Sequence, residues 1–315
     1  MKLSVVVTSY NHEKYIAQCL ESILSQKGDF EMEVIIGDDA STDNTRQIAE
    51  QFQAQHPEIV TLLPPDKNLG ISKNLKRCLD ACTGDYIAIC EGDDYWTDTY
   101  KLQKQKEFLE EHDECSMCFS AFFILFEETA ILELHRDQSF LKHDFFTTED
   151  LIERNSIGNF SCCMYRKSVV EKIPREIFEI TIADWMFNMA CGQFGKIGFI
   201  RDWMSVYRKH ALGAWAGRSV IENNKKLIHL IDQYNEFFGH KYDTLFKKTK
   251  AQVGSSIARL QANPDSEKFM SWNHSLIEQV AEQERLIQGI YAGRAWRLIQ
   301  LLRRIRSWFL PSANR

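Results

Sequence analysis

Residues 85–96 read DYIAICEGDDYW, and the change of character inside this stretch decides the fold. Its first half, Tyr86 to Ile89, is an apolar run without polar alternation, as expected for a strand buried on both faces. The run then stops in three acids, Glu91, Asp93 and Asp94, with only Gly92 among them. Neighbouring carboxylates repel, so the crowding implies either a positive partner or full screening by water. A glycine at 92 lets the backbone turn sharply, so the acids need not point apart.

Working outward, the same pattern recurs upstream. LSVVVTSY (3–10), MEVIIGDD (32–39) and IVTLLP (59–64) read as further strands. Between them EKYIAQCLESILSQ (13–26), STDNTRQIAEQFQAQH (41–56) and SKNLKRCLDAC (72–82) read as helices, the second opened by a Ser41 or Thr42 cap. This alternation predicts right-handed crossovers and a mostly parallel sheet flanked by helices, an α/β fold. In such sheets ligands bind beyond the carboxyl ends of the strands. Polar clusters fall at three of those ends: TSYN (8–11), DDAS (38–41) and EGDD (91–94). Downstream, KLQKQKEFLEEH (101–112) is a helix, the chain is mixed to about residue 215, and little but helix follows Ser219.

Composition removes several classes. A formal charge of −6 argues against a nucleic-acid binder. The amino terminus lacks the apolar length of a signal peptide, and no run reaches the ~18 apolar residues of a spanning helix. Nine cysteines without framework spacing fit a reducing cytoplasm, and Cys115-x-x-Cys118, inside an apolar strand, reads as buried thiols rather than a zinc or redox motif. Neither common glycine-rich phosphate cradle is present. Carboxylates can still recruit a diphosphate through magnesium or manganese, which favour oxygen ligands and accept phosphate oxygens into their shell. The competing reading of the acids is a solvated loop or a helix start favoured by Asp94 and Asp98.

SVVVTSYNHEKYIAQCLESILSQ (4–26), EVIIGDDASTDNT (33–45), NLGISKNLKRCL (68–79) and GDYIAICEGDDYW (84–96) occur in the order found in family 2 inverting glycosyltransferases. The sequence resembles that family over roughly residues 2–215, specifically in the first half and more loosely in the second. The resemblance implies a GT-A fold, Rossmann-like, with a C-terminal helical extension. It divides the chain into a nucleotide-sugar-binding half (1–98), an acceptor-binding and catalytic half (99–217) and a helical extension (218–315).

It further implies a nucleotide-diphosphate sugar donor, favouring a UDP-sugar, Mn2+ or Mg2+, and transfer with inversion to a hydroxyl of a glycan or lipid-linked acceptor. By this resemblance Thr8 and Tyr10 line the nucleobase pocket and Asp39 hydrogen-bonds the base, while Asp38 contacts the ribose or caps the turn. Lys73 faces the donor, Asp93 binds the metal, and Asp94 supports it or contacts the ribose. Glu91 stands where the motif usually has aspartate, so a longer arm replaces the first acid. In IADWMF (182–187) relatives carry Glu-Asp; here Ala183 precedes Asp184, leaving Asp184 as the general base. In VYRKHALGAW (206–215) Arg208 neutralises phosphate charge and His210 completes the metal shell or touches the diphosphate; Trp185 and Trp215 offer faces to a sugar or pack in the core. Two other readings stand beside this one: a catalytically inactive nucleotide-sugar-binding scaffold, and a sugar-nucleotide nucleotidyltransferase.

The carboxyl tail is different in kind. From Tyr291 onward it carries six arginines and no acid. In RAWRLIQLLRRIRSWFL (294–310), Leu298, Leu301, Leu302, Ile305, Trp308 and Phe309 share one helical face, and Arg303, Arg304 and Arg306 lie on the other. Such a helix is expected to lie on an anionic membrane surface, placing a cytoplasmic enzyme at the inner face of the membrane. The alternative is a helix docked on its own domain.

Overall fold

The computed structural model describes residues 1–64, 67–134, 143–181, 184–213 and 215–262. Its first third follows the expected alternation: β1 (Lys2–Ser9), α1 (Ile16–Leu24), β2 (Glu31–Asp38), α2 (Thr45–Gln55), β3 (Val60–Leu62), α3 (Ile71–Ala81) and β4 (Tyr86–Ile89). These strands pair in parallel in the order β3-β2-β1-β4. All four residues of β4 are buried, as its unbroken apolar run requires. β1 sorts its side chains by the period of two: Leu3, Val5 and Val7 join one apolar cluster, Val6 the other. α2 begins at Thr45 rather than at the expected Ser41 or Thr42 cap. The Ser41 hydroxyl is instead bonded to Asp38 and accepts the Asn11 N–H at 2.9 Å, so it ties two loops together.

The remainder is mixed: β5 (Tyr95–Trp96), α4 (Lys101–Glu111), β6 (Cys115–Phe126), β7 (Ile131–Leu134), β8 (Phe145–Phe146), α5 (Thr148–Glu153), β9 (Cys163–Arg166), α6 (Lys167–Val170), α7 (Asp184–Gly192) and β10 (Lys196–Lys209). β9 runs antiparallel to both β4 and β6, which extends the sheet as β4-β9-β6-β10-β5. β10 lies parallel to β6 and is bent by register shifts near Trp203, so its end, Tyr207 to Lys209, runs beside the far end of β6. Cys115 and Cys118 sit inside β6, and all nine cysteines are buried free thiols.

Two helices follow, α8 (Val220–Phe237) and α9 (Asp243–Ala262). Ser219 caps α8 through a reciprocal bond with Glu222. Residues Met1–Ile257 make one compact unit, which contains the sheet, α8 and most of α9. Tyr234 of α8 meets Trp185 edge-on at 5.7 Å, and Thr249 donates to the Ile152 carbonyl at 2.8 Å. The arginine-rich segment 294–310 lies outside the described residues.

Candidate active site

The site forms where β1, β4 and β10 end. After β4 the chain closes a turn in which the Asp94 N–H donates to the Glu91 carbonyl at 2.9 Å. Gly92 does not supply an unusual dihedral there; it supplies room. A Cβ at 92 would stand 2.9 Å from the Ser9 Cβ and 3.0 Å from His12 Nδ1, and the Gly92 N–H donates to the Thr8 carbonyl. The acidic turn is thus pressed against the loop after β1.

That loop is fixed by its own hydrogen bonds. Asn11 adopts φ +58°, a conformation asparagine tolerates, and its side-chain oxygen accepts the Thr42 N–H at 2.8 Å. The His12 N–H donates to Thr45 Oγ1 at 2.7 Å, and the His12 carbonyl accepts from Tyr15 and Ile16 at the start of α1. With its backbone held on both sides, His12 turns its ring toward Asp93.

The three acids have three different fates. Asp93 Oδ2 lies 3.0 Å from His210 Nε2 and 3.7 Å from His12 Nε2. Burial alone raises its pKa, but the His210 hydrogen bond and both imidazoles outweigh burial, and the net shift is downward. Glu91 is pushed well above the usual carboxylate range by burial and then by Asp93 and Asp94. Asp94, also raised by burial and by Asp93, accepts the Ser161 hydroxyl at 2.5 Å and the Arg208 N–H at 2.8 Å. Expected to support the metal or contact the ribose, Asp94 is instead 1% exposed and joins β9's approach to the end of β10.

Two other expected donor contacts are engaged by protein partners. The Arg208 guanidinium is bonded to Glu127 at 2.9 Å and to Gln18, and lies over the rings of Tyr15 and Tyr95. The side chain is 5% exposed, lines the cavity that holds Glu91 and Asp93, and keeps Nε without a partner. Lys73 stands in solvent on α3, paired with Glu179 at 3.0 Å. Thr8, Tyr10 and Asp39 do line one open cavity, together with His12, Asn74, Glu91 and Asp93. Asp39 accepts the Leu69 and Gly70 N–H groups at 2.7 and 2.8 Å, which fixes the loop before α3. Asp38, fully buried, caps the turn through Ser41, one of its two expected roles.

A second cavity adjoins the first through Glu91 and Asp93 and reaches Asp184 and Trp215. Asp184 opens α7, receives the Trp185 N–H and the Asn155 side chain, and keeps Oδ2 buried without a partner. Burial raises its pKa to about 6. Trp185 belongs to the core, its indole N–H donating to the Leu151 carbonyl at 2.6 Å. Trp215 remains 38% exposed on the cavity wall, with the Lys226 ammonium 4.7 Å above its ring.

His12 was not marked by the sequence reading. Its ligand atom, with those of Asp93 and His210, falls within 4.8 Å of one another. Ligands held cis about an ion at about 2.1 Å stand roughly 3.0 Å apart, so the Asp93–His210 pair already has that spacing. The residues present therefore fit a divalent cation.

The fold is the GT-A fold, a mixed α/β sheet flanked by helices with helices added at its carboxyl side. Residues 4–174, more than half of the chain, match Glycosyl transferase family 2, and the chain belongs to that family. It is 36% identical over 216 residues to the uncharacterised protein Rv1520 of Mycobacterium tuberculosis, covering 68% of this chain and 60% of that one. The chain thus spans less than two thirds of the length of that relative. It is 40% identical over 94 residues to the dTDP-rhamnosyl transferase RfbG of Shigella flexneri, 29% of this chain and 32% of RfbG. Among solved structures, S. aureus TarS 1–349 with UDP-GlcNAc superposes with TM-score 0.55 at 22% identity, over 73% of this chain and 66% of that chain. The mannosyltransferase PcManGT of Pyrobaculum calidifontis, with GDP-Man and Mn2+, gives TM-score 0.55 at 16% identity, over 87% and 79%.

Proposed function

We propose that the protein is a metal-dependent, inverting glycosyltransferase that moves a sugar from a nucleotide-diphosphate donor, a UDP-sugar, to a hydroxyl of a glycan or lipid-linked acceptor in surface polysaccharide synthesis. The observation that carries this reading is one crevice with two unlike carboxylates, Asp93 among imidazoles and Asp184 among apolar groups. Tyr10, Thr8 and Asp39 hold the nucleoside end, Tyr10 by stacking and Asp39 as hydrogen-bond acceptor. Asp93 and His210, with Glu91 beside them, hold the cation. Bound there, Mn2+ or Mg2+ neutralises charge on the diphosphate leaving group.

The chemistry assigned to this chain's own residues is proton transfer and placement. Inversion needs a base on the face opposite the leaving group, and Asp184 takes the proton of the acceptor hydroxyl as that oxygen attacks the anomeric carbon. Its unpartnered Oδ2 is the atom free to accept it. Trp215 gives the acceptor ring an apolar face on the same wall. TarS in complex with UDP-GlcNAc and PcManGT in complex with GDP-Man and Mn2+ support the donor class and the use of a cation. A transfer screen of purified protein against labelled nucleotide sugars, with manganese or magnesium, tests the reading; donor binding without turnover for any sugar and acceptor would leave a binding scaffold instead.

The same reading includes peripheral attachment at the inner membrane face. No helix among the described residues is long and apolar enough to cross a membrane. The arginines of 294–310, each worth about 1 kcal/mol near an anionic surface, supply the attraction. Salt-sensitive flotation with anionic liposomes, lost on truncation near Gly289, is the expected outcome; equal flotation of both proteins refutes it.

A further inference from the structure

The loop after β1 carries a histidine that the donor-binding reading does not use. We propose that His12 is a third protein ligand of the cation site, and that the site holds a first-row transition-metal ion before the donor arrives. The inference rests on the proposed cation role of Asp93 and His210 and adds to it a ligand, a metal class and an order of binding.

Distance separates the two histidines' roles around Asp93. His210 Nε2 stands at 3.0 Å from Asp93 Oδ2, a hydrogen-bond distance, whereas His12 Nε2 stands at 3.7 Å, beyond one. His12 is thus aimed at the carboxylate without being bonded to it. All three ligand atoms lie within 4.8 Å of one another, so a small closure brings them onto one ion. In each ring Nε2 is the nitrogen facing Asp93, while Nδ1 is buried without a hydrogen-bond partner. The ring rotation that closure requires therefore breaks no hydrogen bond at Nδ1. The backbone is already fixed, through Thr45 on one side and the start of α1 on the other. Gly92 keeps the space: any larger residue there would crowd His12 Nδ1.

The donor set selects the metal. Magnesium dehydrates reluctantly and is usually held by one or two carboxylates plus substrate phosphates. Two imidazoles and one carboxylate favour a first-row transition ion over magnesium, with affinity rising from manganese through iron and cobalt to nickel. Three side chains also suffice to hold such an ion without help from a nucleotide. Open positions on the ion then remain for phosphate oxygens when the donor enters.

The test uses the full-length protein without nucleotide. Co2+ is titrated while its visible d–d absorption is followed, and Mn2+ binding is measured by calorimetry with and without excess Mg2+. Wild type is expected to bind Co2+ and Mn2+ one to one with weak competition from Mg2+. Loss of an outer-sphere partner alone costs 10–100-fold in metal affinity, so His12→Ala and His12→Gln should each lose about tenfold or more and alter the Co2+ spectrum. His12→Gln guards against misfolding, because the backbone bonds of residue 12 do not need the imidazole. Unchanged affinity and spectrum in a folded His12 variant overturns the proposal. So does a wild type that binds these ions only with nucleotide. In both cases Asp93→Asn tells the two readings apart: if it abolishes nucleotide-linked metal binding, the cation role stands and only His12 falls.

Discussion

The two ends of the crevice hold acids of the same kind in opposite states. At the β1 and β4 ends, Asp93 faces His210 and His12, and its pKa is lowered despite burial. At the start of α7, Asp184 is bonded to the Trp185 N–H and the Asn155 side chain rather than to an imidazole, and burial lifts it to about 6. The difference teaches that burial alone does not set the charge of a carboxylate; what faces it does. A permanently ionised acid suits cation binding, and one poised near neutrality suits proton transfer.

Removing the charge at the first end should have the largest effect. Asp93→Asn is expected to reduce transfer to background and abolish metal-dependent nucleotide binding, with the circular dichroism spectrum unchanged. Wild-type turnover in that variant would erase the contrast between the two acids. Asp184→Asn should lower kcat on the order of 10²–10⁴-fold, the range for a positioned base, while calorimetric donor affinity stays put. Equal losses in rate and binding would make Asp184 a donor contact.

The raised pKa of Asp184 adds a pH test with a definite sign. Because the base must be ionised, the transfer rate should rise as pH passes through about 6 and then level off with respect to this group. Stability runs the other way. The folded state keeps the Asp184 proton up to about 6, while the unfolded chain releases it near 3.8. Its contribution is therefore complete below 3.8 and is lost as pH rises to 6, a cost on the order of 2–3 kcal/mol above that range. Asp184→Asn should melt higher than wild type at pH 7.5, and the gain should vanish near pH 4. Identical melting curves at both pH values would mean the carboxylate is solvated.

Much of the parallel half of the sheet was legible because strands buried on both faces read as unbroken apolar runs, as Tyr86–Ile89 does. The converging polar ends followed from the topology. His12 was not legible: a single histidine has no spacing to mark it, and residues 12, 93 and 210 meet only through the pairing of β1 with β4 and the path of β10. Asp94 misled for a related reason. Sequence shows two adjacent acids, but only the fold shows that one meets imidazoles while the other meets Ser161 and a backbone N–H. The pairing of Arg208 with Glu127 was not legible because the two are 81 residues apart.

At the nucleoside end a smaller effect is expected. Asp39→Ala should weaken nucleoside-diphosphate binding by roughly 0.5–3 kcal/mol, the cost of leaving a buried hydrogen-bonding group without its partner. It should also lower the melting temperature, since the Leu69 and Gly70 N–H groups lose their acceptor. Weaker melting with unchanged nucleotide affinity would confine Asp39 to holding that loop.

The smallest effect belongs to Lys73, and it checks whether the donor end has been drawn correctly. Ile71 and Asn74 on α3 line the donor-side cavity, and they are three residues apart on one helical face. Lys73 is turned about 100° from Asn74 by the helical repeat, which places it outside that face. Its ammonium pairs with Glu179, and the two side chains are 52% and 67% exposed. An ion pair so open to water contributes about 0–1 kcal/mol and is weakened further by salt. Lys73→Ala should therefore leave donor affinity and kcat within about twofold of wild type. A tenfold loss of donor affinity in this variant would show that the lysine leaves Glu179 for the diphosphate, and that the cationic character of the donor end is supplied in part by α3.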